Sequence, residues 1–354
     1  MPGSKKSYEY YWKLTLEYSD IHSEQYNDTL KMIIKFIDER NGRQLEPGDY
    51  TNLQEEINLI FNKADMASIR KSINQFVKLG FVKPYLIGYH SSAKQFCTEE
   101  NKEKKRSIFS EILYSSASFN SSVTVKNEER EINFFIKTLE KNKTLNREQI
   151  AGLMRLVPSD YNDGCLNKEE LEKETQAAKE INFEARKYNQ INFMITIFKS
   201  LDGIKYKNNT FYPSNDLEIE DEVELSKKRD NYLQKLYKNR LKIESEEIFG
   251  DRRCMISQVP YYAMIASHIK PFYCSDKEEE YDSQNGLLLG KDIDYLFDKG
   301  YISINVEGKI LVSSNLKVTI VNYHKLDDIF LDVRLLTNER KKYFIYHRNN
   351  VFKG

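Results

Sequence analysis

Four side chains in the last third of the sequence, His268, Asn285, Asp294 and Asp298, have types and an order suited to metal-assisted hydrolysis of a phosphodiester. Ala-Ser-His-Ile-Lys-Pro at 266–271 reads as a strand ended by proline, residues 285–289 as a second short strand, and residues 292–299 as a helix closed by Gly300. The order is strand, loop, strand, helix. On such a helix Asp294 and Asp298, four apart, share a face, so both carboxylates can address one hard cation. His268 can face the same cation from the strand.

The chemistry needs an activated water, charge neutralisation at the pentacoordinate phosphate, and help for the leaving oxygen. A histidine titrating near neutrality can take the proton, and a divalent cation can supply both electrostatic parts. A carboxylate site made only of oxygens favours Mg²⁺, Mn²⁺ or Ca²⁺ over zinc, so Mg²⁺ is the expected cofactor, with Mn²⁺ as a substitute. Lys270, separated from His268 by Ile269, is expected on the same strand face, where it could hold the scissile phosphate. Each residue alone has an ordinary reading: a single strand histidine is usually structural, and an Asp pair one turn apart is usually a solvated face. Their combination with Asn285 carries the functional reading.

At these residues the chain resembles the HNH, or ββα-metal, endonucleases, and in particular the branch found in bacterial restriction enzymes; Ala-Ser-His-Ile-Lys-Pro is the most similar part. The resemblance implies that His268 is the general base, that Asn285 orients it, and that Asp294, nine residues after Asn285, is a ligand of one divalent metal. Asp298 matches the place where some members put a further ligand. Ser267 departs from the pattern, because many relatives carry an aspartate or histidine ligand there and a hydroxyl is a weak one. Either the two aspartates suffice with water and Ser267, or another acid contributes. Cys254-Met255-Ile256-Ser257 occupies the place of a Cys-hydrophobic-Ser/Thr strand entry, and residues 342–352 look like the C-terminal helix that closes restriction-type members. The resemblance spans about residues 250–354.

The 354 residues exceed one common domain size, and 40% hydrophobic content suffices for sizeable cores. Cys97, Cys165, Cys254 and Cys274 show no CxxC pairing and are expected as reduced thiols in a cytoplasmic protein. No apolar signal region or membrane span is expected. With 54 basic and 54 acidic side chains the net charge is zero, so a nucleic-acid surface must come from local segregation of charge. Lys341 and Arg348 belong to one such basic patch in the C-terminal segment, with a solvated helix face as its ordinary alternative.

The first two thirds reads as helical, in two similar units. Leu30, Ile33, Ile34 and Ile37 mark one amphipathic helix, residues 51–61 a second, and Asp65 caps a third that runs to Leu79, followed by an extended Phe81-Val82-Lys83-Pro84. On the third helix Ile69, Ile73 and Phe76 share one face, leaving Lys71, Asn74, Gln75 and Lys78 on the other as candidate readers of bases and phosphates. In the second unit a stripe of Ile132, Phe135, Ile136 and Leu139 is followed by helices at 146–156 and up to Leu201 and by a β-hairpin at 204–212, the shape of a wing. Lys187, Gln190 and Lys199 are the candidate contacts there. Residues 91–107 are expected as a mobile polar loop, residues 216–222 as an acidic loop, and residues 224–242 as a connecting or dimerising helix.

The expected fold is therefore α+β: helical, winged-helix-like regions at 1–110 and 111–215, a connector at 216–247, and a ββα-metal nuclease domain at 248–354. The expected function is sequence-specific cleavage of double-stranded DNA by a type II restriction enzyme, with the separation of recognition and catalysis along the chain suiting type IIS cutting. One such site normally attacks one strand, so a homodimer is the expected way to cut both. The alternatives are a modification-dependent enzyme that cuts methylated DNA, and a DNA-binding regulator with a silent nuclease fold.

Overall fold

Several helices in the first two hundred residues start where a short polar side chain satisfies free backbone N–H groups of the first turn. The computed structural model of the chain describes residues 9–41, 43, 45–46, 48–61, 65–214 and 229–354. It forms two compact units, Met1–Asp216 and Leu217–Gly354. In unit 1, α1 (Glu24–Arg40) is capped by the Ser23 hydroxyl and buries Leu30, Ile33, Ile34 and Ile37, the expected stripe. After α2 (Asp49–Phe61), α3 (Met66–Lys78) is capped by Asp65, whose carboxylate accepts from the Ser68 N–H. The extended segment beyond it makes one isolated bridge, Val82 to Tyr89, and no hairpin.

The loop expected at 91–107 is instead two helices, α4 (Ala93–Thr98) and the start of α5 (Lys102–Ser116). The polar composition hides two structural signals. Phe96 is fully buried among Tyr26, Phe81 and Phe109, at centroid distances of 5.8, 4.9 and 6.3 Å, and Asn101 caps α5 through the Glu103 and Lys104 N–H groups. Lys105 lies with its ammonium 4.7 Å from the Phe96 centroid and donates to Asn27, so a charged residue here covers apolar surface.

The second half of unit 1 contains α6 (Glu131–Asn142), β1 (Leu145–Asn146), α7 (Arg147–Leu153), α8 (Lys168–Glu180), α9 (Phe183–Arg186), α10 (Tyr188–Lys199), β2 (Ile204–Lys207) and β3 (Thr210–Pro213). The strands form an antiparallel sheet in the order β1-β3-β2. Asn208 and Asn209, at φ 50° and 57°, supply the left-handed pair that a two-residue hairpin turn requires. Phe211 anchors this sheet against Phe135 and Phe198, themselves stacked at 3.7 Å. The halves expected as separate domains share one unit because the segment at 9–18 bonds to both: Trp12 Nε1 donates to the Leu156 carbonyl, the Leu14 N–H to Gln190, and the Glu17 and Tyr18 N–H groups to Gln75.

Unit 2 is built from α11 (Asn231–Phe249), β4 (Met264–His268), β5 (Gly286–Gly290), α12 (Lys291–Asp298), the hairpin β6 (Ile302–Ile304) and β7 (Ile310–Val312), α13 (Val318–His324) and α14 (Asn338–Asn350). Every residue of β5 is buried, which its unbroken Leu287-Leu288-Leu289 run requires of a strand covered on both faces. Gly300 ends the α12 region at φ 71°, and a Cβ there would meet the Val351 carbonyl at 2.1 Å. The part of the expected connector that lies among the described residues is not a tether: α11 contributes Tyr237 and Leu241 to the same core as Leu287, Ile293 and Phe344. Arg340 of α14, fully buried, is paired with Glu244 of α11 through two bonds of 3.0 and 2.8 Å. The expected acidic loop at 216–222 lies outside the described residues. Among the described residues, no helix is long and apolar enough to cross a membrane.

Candidate active site

β4 delivers His268 at its last position, opposite Gly286 of β5. The imidazole Nε2 lies 2.8 Å from the Glu280 carbonyl. A carbonyl can only accept, so Nε2 carries the proton and Nδ1 keeps its lone pair. Nδ1 is buried and has no hydrogen-bond partner. The ring is stacked on Tyr237 at 4.7 Å and meets Phe272 edge-on at 5.5 Å. Burial pushes its pKa down to about 4, against the upward pull of the Glu280 carbonyl; Arg229 adds to the depression and Asp298 opposes it. At neutral pH the residue is an uncharged base.

Asn285 is fully buried, and its amide bonds reach the loop after β4 rather than the imidazole. Its Oδ1 accepts from the Lys270 N–H at 2.7 Å, while Nδ2 donates to the Lys270 carbonyl, the Ser275 hydroxyl and the Glu279 carbonyl. The loop so pinned also carries the Glu280 carbonyl that His268 meets.

α12 packs on β4 and β5, with Asp294 half-buried and Asp298 exposed and paired to Lys299 at 3.2 Å. Asp298 is near enough for its charge to raise the His268 pKa. Ser267 is 5% exposed, and its carbonyl accepts from the Tyr237 hydroxyl at 3.3 Å. Among the described residues no three His, Cys, Asp or Glu side chains converge as a metal-holding group. Lys270 departs from its expected placement. β4 ends at His268, strand alternation does not extend to residue 270, and the ammonium pairs with Glu279 at 2.5 Å and lies over Tyr346. The cation is paired with a carboxylate rather than standing alone on the strand face.

The C-terminal helix is in place as α14. His347 is buried in it, stacked on Phe297 at 4.0 Å, with Nδ1 facing the Ser303 hydroxyl and Nε2 donating to the Phe297 carbonyl. Lys341 and Arg348 are half-buried. The Cys254-Met255 entry is joined to β5 by the Met255 N–H, which donates to the Leu288 carbonyl.

In unit 1 the polar face of α3 is largely consumed by the fold. Gln75 is fully buried, accepting from the Glu17 and Tyr18 N–H groups and donating to the Tyr18 carbonyl. Lys78 donates to the Lys13 and Phe119 carbonyls, and burial pushes its pKa down to about 8. Asn74 donates to the Arg70 carbonyl and accepts from the Val123 N–H. Only Lys71 of that group is exposed. Periodicity marks which face of a helix is apolar, but not that segments at 9–18 and 118–125 will cover the other. On α10, Gln190 is likewise committed, to the Leu14 N–H, and the Lys187 ammonium sits 4.1 Å from the Tyr11 centroid. Lys199 is exposed, its ammonium over Tyr206. Asn189 of α10 and Lys205 and Lys207 of the hairpin, which helical periodicity does not single out, are all exposed, and the Asn192 oxygen accepts from Arg147 at 2.8 Å. The available signal was charge: Asp202 is the single acidic residue between 185 and 213. Tyr237 of α11 carries no such signal.

Residues 254–305 match the family model for HNH endonucleases. The match runs from the Cys254 entry through β4, Asn285, β5 and α12 to the residue after β6, a minority of the chain, and it identifies an HNH endonuclease domain in the C-terminal region. Such a domain points to nuclease action on DNA, and HNH nucleases use divalent metals. The search of curated proteins found no match.

Proposed function

From the premise of an HNH endonuclease domain at residues 254–305, we propose that the chain is a sequence-specific double-stranded DNA endonuclease of the type II restriction kind. The carrying observation is the state of His268: Nε2–H is committed to the Glu280 carbonyl, and Nδ1 is left as a buried, unpartnered lone pair. A buried polar atom without a partner is a place that a ligand or water completes. In the proposal Nδ1 takes a proton from the attacking water, the Glu280 carbonyl stabilises the imidazolium that forms, and Asn285 holds the loop that presents this carbonyl.

Asp294 and Asp298 would hold the divalent cation, Mg²⁺ with Mn²⁺ as a substitute. Two carboxylates with the other positions left to water suit an ion that dehydrates reluctantly. When bound, the ion supplies positive charge at the phosphate. Ser267 would add at most a weak contact.

Recognition is assigned to residues 131–213. The order helix, β1, helix, further helices, α10 and then the β2–β3 hairpin supports a winged-helix reading, with α10 for the major groove and the hairpin as the wing. Asn189 is then a candidate base reader, and Lys199, Lys205 and Lys207 candidate phosphate contacts. In the nuclease domain Lys341 and Arg348 would contact backbone. Cutting both strands calls for two copies of a single-strand site, hence a homodimer on DNA.

A second reading, a DNA-binding regulator with a silent nuclease fold, is favoured by one observation, the absence of a three-donor metal group among the described residues. Incubating the pure protein with unmethylated and methylated plasmid DNA and Mg²⁺ decides. Discrete fragments from unmethylated DNA support the proposal, cleavage of methylated DNA alone assigns the modification-dependent class, and binding without cleavage of either assigns the regulator.

A further inference from the structure

We infer that Tyr237, which lies upstream of the family-matched segment, is the positioning residue for His268. This rests on the nuclease reading of that histidine. The Tyr237 ring is stacked on the imidazole at 4.7 Å with 17° between planes, and Phe272 closes a second side edge-on at 71°. With Nε2 bonded to the Glu280 carbonyl, the imidazole is held at one end and sandwiched along its body. Rotation about the Cβ–Cγ bond is blocked, which keeps Nδ1 in a single direction.

The Tyr237 hydroxyl adds a second constraint. It lies 3.3 Å from the Ser267 carbonyl and 3.0 Å from the Asn285 carbonyl. These belong to the residue before the proposed base and to the asparagine that pins the loop. One phenol proton shared between them ties the end of β4 to the start of β5 where no solvent competes, since Tyr237 is fully buried. The same contact explains the glycine after Asn285. A Cβ on Gly286 would lie 2.2 Å from the Tyr237 hydroxyl, closer than any non-bonded contact allows, so the space a side chain would fill is occupied by the tie itself.

The test uses the full chain. Single-turnover cleavage of plasmid DNA in Mg²⁺ is measured over a range of protein concentrations for wild type, Tyr237→Phe, Tyr237→Leu and Gly286→Ala, each corrected for the folded fraction. Misplacing a base by about 1 Å costs on the order of 100-fold in rate. Tyr237→Leu, which removes stack and tie, is expected to lower the maximal rate by about that factor at unchanged half-saturating concentration; Tyr237→Phe, which keeps the stack, is expected to recover about tenfold of the loss. A role in folding alone moves the folded fraction but not the rate per folded molecule. The second readout needs no activity: NMR of the His268 ring protons, which face-to-face stacking shifts upfield. That shift is expected to persist in Tyr237→Phe and to vanish in Tyr237→Leu, or in Gly286→Ala should the leucine variant fail to fold. Wild-type rates in Tyr237→Leu, or ring-proton shifts indifferent to all three changes, would overturn the assignment. If the wild type binds DNA without cutting it, the nuclease reading fails, and the NMR readout still decides whether Tyr237 holds the ring.

Discussion

His268 combines two properties that pull apart in water: it is uncharged at neutral pH because its ring is desolvated, yet its protonated form has a carbonyl waiting at Nε2. His268→Ala is expected to abolish Mg²⁺-dependent cleavage while leaving the DNA dissociation constant within about twofold, since a base acting on water contributes little ground-state affinity. Nicking assays beside a gel-shift titration check both halves, and undiminished cleavage sinks the assignment. For the carboxylates, Asp294→Ala should lose metal-dependent cleavage more completely than Asp298→Ala, whose exposed carboxylate is already shared with Lys299. Equal metal affinity in wild type and both variants would refute the pair as ligands. Gln75→Ala should behave as a fold mutation: it removes three hydrogen bonds to the Glu17 and Tyr18 backbone, costing about 3 kcal/mol in urea unfolding, with base preference unchanged at constant salt.

At the level of elements, α11 decides where the nuclease begins. A fragment starting at residue 248 lacks Tyr237 and Leu241 from the core and leaves Arg340 buried without Glu244. Breaking such a pair costs about 3–5 kcal/mol, a large part of the stability of a small domain. Residues 217–354 are therefore expected to unfold cooperatively in urea and residues 248–354 not to fold, as circular dichroism would report; a cooperative transition in the shorter fragment would reassign α11 to the connector role. On the recognition side, Lys205→Ala and Lys207→Ala should each reduce the slope of log affinity against log salt by about 1 if they contact phosphate.

For the whole molecule, the buried titratable groups of the two units oppose one another. His268 and His347 are held by burial at about 4, below the ordinary histidine value of 6.5. Between those limits the unfolded chain binds protons that the folded chain does not, so unit 2 is fully stable above 6.5 and loses stability as pH falls toward 4, by up to about 1.4 kcal/mol per pH unit for each histidine. Glu131 in unit 1 is raised by burial to about 8 from 4.5; its contribution is complete below 4.5 and is lost as pH rises toward 8. Going from pH 6.5 to 5, hydrogen-exchange protection of the β5 amides should fall, after correction for intrinsic rates. The unfolding midpoint reported by Trp12, buried in unit 1 beside Phe119, should fall less or rise. Parallel loss in both would contradict the assignment.

Local chemistry was readable along the chain. The Asp65 cap, the Ile33-Ile34-Ile37 stripe, the Asn208-Asn209 hairpin and the strand–strand–helix order around His268 and Asn285 all depend on contacts within a few residues or on a short spacing, and such information survives in one dimension. Other features depended on what arrives from far along the sequence. Residues 9–18 cover the polar face of α3 and capture Gln75 and Gln190, Glu279 pairs with Lys270, and Phe96 turns a charged stretch into packed helices. Tyr237 lies 31 residues before His268, with no spacing rule to connect them. Burial sets whether a lysine or glutamine is a contact or a brace, and burial is a property of the packed chain: the desolvation that lowers His268 and the carbonyl that fixes its tautomer exist only once α11, β4 and the loop pinned by Asn285 have closed around it.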